Sequence, residues 1–186
     1  MNGLSTNLER FSLKGRRALI TGATRGIGWE ISKAMCEAGA KVYINGRDNN
    51  TLEKRCIEMT DKGYEIFPAL FDVTETKAFE KWLEGLVEPP DILVNNAAVR
   101  HRYPVSNITP EDFSHVLEVN LNSAFSLARG VAMQLKNSKQ SGSIINITSI
   151  AGPRARPGDA AYTAAKGGLD ALTRSLAVEL APAGFR

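Results

Sequence analysis

Short apolar runs alternate along the chain with longer stretches in which apolar positions recur every three or four residues. Ala18-Leu19-Ile20-Thr21, Val42-Tyr43-Ile44, Ile66 to Phe71, Ile92-Leu93-Val94 and Ile144-Ile145-Asn146-Ile147 read as strands. Their continuity predicts parallel strands covered on both faces, because a half-exposed strand alternates apolar with polar. Between them, Ile27, Ile31, Ala34 and Ala38 keep helical spacing up to Gly39. Leu52 to Lys62 predicts a second helix closed by Gly63, and Thr76 to Leu86 a third, followed by Pro89-Pro90. Glycine just past a helix takes the left-handed cap position at little cost. Strand, helix, strand order with short loops predicts right-handed crossovers and a layered α/β domain.

Two later helices carry more information. Thr109-Pro110-Glu111-Asp112 is a helix start, with Thr109 as cap, Pro110 in the first turn and acids at the positive end. The stripe that follows is Phe113, Leu117, Asn120, Ala124, Leu127 or Ala128, Val131 and Leu135. An asparagine amide on such a face must find partners or cost roughly 1–3 kcal/mol. The last helix, from about Ala161 to Leu180, lines up Tyr162, Lys166, Leu169, Thr173, Leu176 and Leu180. A tyrosine and a lysine one turn apart thus head an otherwise apolar side.

Composition narrows the classes. With 186 residues, 43% of them hydrophobic, the chain suits one domain over 1–186 with a sizeable core. The 23 basic and 20 acidic residues leave a net charge of +3, weak grounds for a nucleic-acid or membrane partner. Cys36 and Cys56 fit neither a disulfide framework nor a metal motif, which points to reduced thiols and a cytoplasmic protein. The segment Met1 to Asn7 lacks a basic stretch followed by an apolar one, and no run reaches the roughly 18 apolar residues of a membrane span. Neither secretion nor membrane insertion is expected.

Thr21-Gly22-Ala23-Thr24-Arg25-Gly26-Ile27-Gly28 follows the first strand and opens the first helix, the context in which a glycine loop cradles a pyrophosphate. Gly22 suits a tight turn, Gly26 an approach of backbone to phosphate, and Gly28 close packing of helix on strand, with helix N–H groups aimed at the anion. Glycines serving only turns and packing are the alternative. The spacing is Gly-x-x-x-Gly-x-Gly rather than Gly-x-Gly-x-x-Gly. The second strand ends in Asn45-Gly46-Arg47, where an NAD site places an acid for the ribose hydroxyls. Arg25 and Arg47 suit a 2′-phosphate instead, which favours NADP(H) over NAD(H), with Asp48 one residue late for the acid's role.

With these residues the chain, from about Phe11 to Arg186, resembles the short-chain dehydrogenase/reductase family. The pattern continues in Asp72-Val73, Asn95-Asn96-Ala97-Ala98, Asn120, Ser149 and Tyr162-Thr163-Ala164-Ala165-Lys166, with Ala98 where the family usually has glycine. The resemblance implies a Rossmann-type doubly wound parallel sheet in three α/β/α layers. It implies that Asp72 and Val73 hold the adenine and that Asn95 and Ala97 stand beside the cofactor. By the same resemblance Tyr162 is the general acid or base. Lys166 holds the nicotinamide ribose and depresses the tyrosine's pKa, Ser149 binds the substrate oxygen, and Asn120 bends its helix and holds a relay water. A free tyrosine titrates near about 10, so a neighbouring cation is what makes it useful near neutrality.

Within the family, Ile44 to Asp48, Asn95 to Arg102 and Arg156-Pro157-Gly158 resemble gluconate 5-dehydrogenases and related sugar-acid or polyol reductases. 3-Oxoacyl-carrier-protein reductases are the rival. His101, Arg102 and Arg154 are candidates for an anionic substrate, with a plain surface loop as the alternative for the first two. The family pattern runs on past Arg186 into two more strands and a substrate lid. The expectation is therefore a shortened chain with a bare fifth-strand edge, and an inactive nucleotide-binding fragment is the alternative of another class. The resemblance also implies a homodimer or homotetramer through the Asn120 and Tyr162 helices, with Phe125, Ala132, Ala171 and Leu172 outward.

Overall fold

All five apolar runs form strands, and all five are parallel. The computed structural model describes residues 10–186, so the Met1–Asn7 segment lies outside it. The strands are β1 (Arg17–Ile20), β2 (Lys41–Gly46), β3 (Ile66–Leu70), β4 (Ile92–Asn95) and β5 (Ser143–Asn146), in the order β3-β2-β1-β4-β5. Helices α1 (Gly26–Glu37), α2 (Asn49–Thr60) and α3 (Thr76–Glu84) alternate with the first four strands. After β4 come α4 (Pro110–Leu117), a π turn (Glu118–Asn122) and α5 (Ser123–Asn137), and after β5 comes α6 (Ala160–Leu180). One core packs Leu19, Phe71, Phe79, Leu93, Leu127 and Leu135 on one face of the sheet. The other packs Ile20, Trp29, Val42, Ile44, Leu52 and Val94 on the opposite face. The expected three layers are present.

Several helix ends follow their sequence signals. Thr109 Oγ1 accepts from the Asp112 N–H at 3.0 Å, and the Asp112 carboxylate accepts from the Thr109 N–H at 3.3 Å, a reciprocal cap for α4. Asp48 caps α2 by accepting from the Thr51 N–H at 2.7 Å. A polar thread then ties the layers. Asn95 Nδ2 donates to Asn146 Oδ1 at 2.8 Å and to the Ala124 carbonyl, and Asn146 Nδ2 donates to the Thr173 hydroxyl at 2.8 Å. This thread sets α5 and α6 against adjacent strands.

Four expectations are corrected. The core-facing stripe of α1 is Gly28, Trp29, Ser32 and Cys36, and Ile27 is exposed. The helix lies so close to the sheet that small residues occupy its inner face, with the Ser32 hydroxyl folded onto the Gly28 carbonyl at 2.8 Å. Edge strands are only half covered, with Phe67 and Leu70 on β3 and Ile145 on β5 exposed. Pro68 in β3 suits an edge, where a missing N–H breaks no second ladder. The β5 edge is not bare either: the Arg186 N–H donates to Gly142 and the Ile144 N–H donates to Arg186, while Phe185 is buried in the core. Lastly, Ala132 points inward, packed with Val131 and Leu135, so it is no part of an outer surface.

Burial pushes the Cys36 and Cys56 thiols up to about 11, which leaves both mostly protonated and unreactive near neutrality. No helix of the described residues is long and apolar enough to cross a membrane.

Candidate functional site

Connections leave β1 toward β2 and leave β4 toward β5, on opposite sides, so the C-terminal ends of β1 and β4 open a crevice. A cleft of about 510 Å³ lies there. Gly22, Thr24, Arg25, Gly26, Asn45, Arg47, Asp72, Val73 and Ala97 all line it, joined by Asn96, Val99, His115 and Val119. Ile27, Gly28 and Asn95 do not. Ile27 is exposed on the first turn of α1, whereas Gly28 and Asn95 are buried.

The loop between β1 and α1 is held by contacts that only small residues allow. Gly22 has φ +60, and a Cβ there would stand 2.9 Å from the Ala97 Cα. A Cβ on Gly28 would meet Asn96 Nδ2 at 2.5 Å and the Gly22 carbonyl at 2.7 Å. Asn96 Nδ2 donates to the Thr21 and Gly22 carbonyls at 2.8 and 3.2 Å. The Thr21 hydroxyl accepts from the Asn96 and Ala97 N–H groups, both at 3.0 Å. The turn is thus clamped from β4.

The residues fit a dinucleotide. Helix α1 begins without a side-chain cap and without an acid in its first turn, so its leading N–H groups are left for an anion. A Cβ on Gly26 would meet nothing within 4 Å, which leaves space for a ligand against its backbone. Arg25, the residue immediately before α1, and Arg47, just past β2, are both exposed, with Arg47 Nη1 3.3 Å from Asp72 Oδ2. Burial pushes the Asp72 carboxyl up, but hydrogen bonds from Thr74 and the Arg47 contact outweigh it and hold the carboxyl below its usual value. Asn45 Nδ2 is spent on the Ala69 and Phe71 carbonyls, so Asn45 shapes the rim of the cleft.

The cleft runs toward Val99, and the remaining candidates gather beyond it. Asn120, 2% exposed in the π turn, donates through Nδ2 to the Val99 and Val116 carbonyls, both at 2.8 Å. Its Oδ1 is buried with no protein partner among the described residues. Val99 and Tyr162 pack on one cluster with Val116, Ala161 and Ala165. Lys166 is buried, donates to the Ile147 carbonyl at 2.7 Å, and stands 5.9 Å from the Tyr162 ring centre. Burial lowers its pKa, with the Asp170 charge pushing the other way. Ser149 lies two residues past Ile147, and its Oγ accepts from the Ala151 N–H at 3.1 Å.

A family model described as short chain dehydrogenase matches residues 16–186. The chain belongs to this family. Its members are oxidoreductases that act on CH–OH groups and bind nicotinamide cofactors. The chain is 36% identical over 174 residues to gluconate 5-dehydrogenase of Gluconobacter oxydans (strain 621H), covering 92% of itself and 68% of that relative. It is 37% identical over 177 residues to carbonyl reductase [NADPH] 2 of Sus scrofa, covering 95% of itself and 70% of the relative. The crystal structure of a gluconate 5-dehydrogenase from Burkholderia cenocepacia J2315, in complex with NADP and tartrate, superposes with a TM-score of 0.90 at 38% identity. That match covers 97% of this chain and 71% of the other.

The substrate candidates separate. Arg154 is exposed on the loop before α6. His101 meets Tyr103 edge-on and lies tilted beside His115, with a buried Nδ1 that has no partner among the described residues. Arg102 turns to Asp159, its Nε 3.4 Å from Oδ1. Four contributors were not assigned a role from the sequence: Asn96, Arg55, Arg100 and Asp159. Asn96 stood inside the recognised motif. Arg55 donates to the Thr24 carbonyl at 3.1 Å while stacked on Trp29, and nothing local marks it. The last two meet across 59 residues of chain.

Proposed function

We propose that the site binds NADP(H) and moves a hydride to or from the carbon of a secondary alcohol or ketone on an anionic substrate such as a sugar acid. The observation that carries this reading is the cleft itself. It holds an uncapped helix start and two exposed arginines where the ribose of an adenosine would lie, and its lining residue Val99 packs on the same cluster as Tyr162, which has Lys166 beside it. Asp48, which in an NAD site would be the competing acid, is spent as the cap of α2.

Arg25 and Arg47 would hold the 2′-phosphate, the first N–H groups of α1 the pyrophosphate, and Asp72 with Val73 the adenine. Lys166 and Tyr162 would hold the nicotinamide ribose. When bound, the nicotinamide supplies or accepts the hydride at C4. In oxidation the hydroxyl proton passes to the Tyr162 oxygen as the carbinol hydrogen leaves with its electron pair, and in reduction the Tyr162 proton goes to the new alkoxide. The Ser149 hydroxyl would hold the reacting oxygen, and the orphaned Asn120 Oδ1 is the acceptor for a relay water. His101 and Arg102 would approach the substrate from the loop after β4.

Reduction of 5-ketogluconate with NADPH, by the native chain and by Tyr162→Phe, tests this reading. The expected result is turnover that falls on the order of 10²-fold or more in the variant, with cofactor affinity nearly unchanged. No turnover with the sugar acid but turnover of a 3-oxoacyl-carrier-protein would favour the second reading, which the exposed Arg154 and Arg156 support as a landing for an acidic carrier. NADPH binding without turnover of either would leave only the nucleotide-binding function.

A further inference from the structure

The loop after β4 brings a second cation to the tyrosine. The guanidinium carbon of Arg100 lies 5.0 Å from the centre of the Tyr162 ring, within the range at which a cation and an aromatic face attract. Arg100 is held in place: Nε donates to Asp159 Oδ1 at 2.9 Å, and Nη2 donates to Oδ2. Lysine cannot reproduce that two-pronged grip.

Asp159 is the residue immediately before α6, and it is fully buried. Its side chain does not cap the helix. It faces the arginines instead, with Arg102 as a second, weaker partner at 3.4 Å. A buried carboxylate is costly unless it is paired, so helix capping does not account for this one. With two guanidiniums on one carboxylate, the cluster is net positive, and Arg100 is the member against the ring.

We propose that Arg100, clamped by Asp159, is a positioning residue for Tyr162, holding the ring from the loop after β4 and stabilising negative charge on its oxygen alongside Lys166. This rests on the reading of Tyr162 as the group that moves the proton. The hydrogen bonding to Asp159 raises the Arg100 pKa, as do the charges of Asp159 and of an ionised Tyr162. The other ionisable groups around the pair are Lys166, Asp159 and, acting on Lys166, Asp170 on the tyrosine's own helix. Arg102 and His101 lie on the loop, and His115 on α4 packs near His101.

The test is a pH titration of tyrosinate absorbance in the near ultraviolet. The chain has four tyrosines, so the signal of Tyr162 is isolated by subtracting that of Tyr162→Phe. Arg100→Met is expected to move the Tyr162 transition to higher pH, and Arg100→Lys to recover part of the shift. Arg100→Met combined with Asp159→Asn strands no carboxylate, and it decides the matter if the single variant does not fold. Its transition is expected to move the same way. An unmoved transition in a folded variant overturns the proposal and leaves the cluster a structural clamp. The readout needs no turnover, so a shifted transition in a chain without dehydrogenase activity would refute the proposed reaction while leaving the electrostatic role standing.

Discussion

The ammonium of Lys166 is hydrogen-bonded to the backbone carbonyl of Ile147 at 2.7 Å, a direct tie between the second turn of α6 and the end of β5. That bond satisfies a carbonyl just past the end of β5 and holds the second turn of α6 against it. It also spends one donor of Lys166 inside the protein, leaving the others for the space beside Tyr162. The helix that carries the proposed proton-transfer group is therefore registered to the sheet by the lysine that accompanies it.

Cofactor preference is expected to follow the two arginines at the rim of the cleft. NADPH should bind more tightly than NADH, and Arg47→Asp should reverse the order. A carboxylate repels the 2′-phosphate and accepts the ribose hydroxyls, and the change in ratio should be roughly tenfold or more, about 1.4 kcal/mol. Fluorescence titration with both cofactors checks this. Tighter NADH binding to the native chain would remove the arginines from their assigned role.

Gly28→Ala is expected to damage the nucleotide loop more than the fold. The added methyl would press on Asn96 Nδ2 and on the Gly22 carbonyl, so the loop or its clamp must move. Overpacking of this kind costs about 1–3 kcal/mol. The measurement is cofactor affinity together with a urea unfolding curve, and an unchanged affinity would contradict the clamped geometry.

Acid sensitivity should be traceable in part to Asp159. The hydrogen bond from Arg100, with help from Arg102, holds this carboxyl below its ordinary value of 3.8, against the cost of burial. Its contribution to stability is complete above 3.8 and is lost as pH falls through the lower value of the folded state, because the unfolded chain takes up the proton first. The gap in urea midpoint between the native chain and Asp159→Asn should therefore narrow as the solution is acidified. A gap that stays constant would mean that the pairing does not stabilise the fold.

Association is expected through α5 and α6. Phe125 on α5 is 45% exposed, and Ala171 on α6 is exposed as well, with Leu172 half-buried beside it. A large aromatic left in water on a helix face points to a partner, and a second copy packed about a twofold axis covers it on both chains. Sedimentation should show a dimer or larger at micromolar concentration and a shift toward monomer for Phe125→Glu. A native chain that sediments only as monomer would exclude this surface.

How much was legible depended on how local each signal was. The strands, the start of α4 at Thr109 and the run from Thr21 to Gly28 are written in consecutive residues, and the structure has them within a residue or two. The one-turn step from Tyr162 to Lys166 is equally local, since a helix places such positions on one side whatever surrounds it. Burial was harder to read. Ile27 looks like a core residue by period, yet it faces out because α1 lies on the sheet through Gly28 and Ser32. Ala132 looks outward by the same reasoning and is fully covered.

By itself the sequence determined the parallel α/β plan, the glycine loop and the tyrosine–lysine pair, because periodicity, caps and turns act over a few residues. Tertiary structure decided what lies against them. The order β3-β2-β1-β4-β5 puts β4 beside both β1 and β5, and so brings Asn96 onto the glycine loop and Arg100 onto the start of α6. Strand order sets which distant residues meet. The pairing of Arg100 with Asp159 follows from it, and no spacing along the chain reports it.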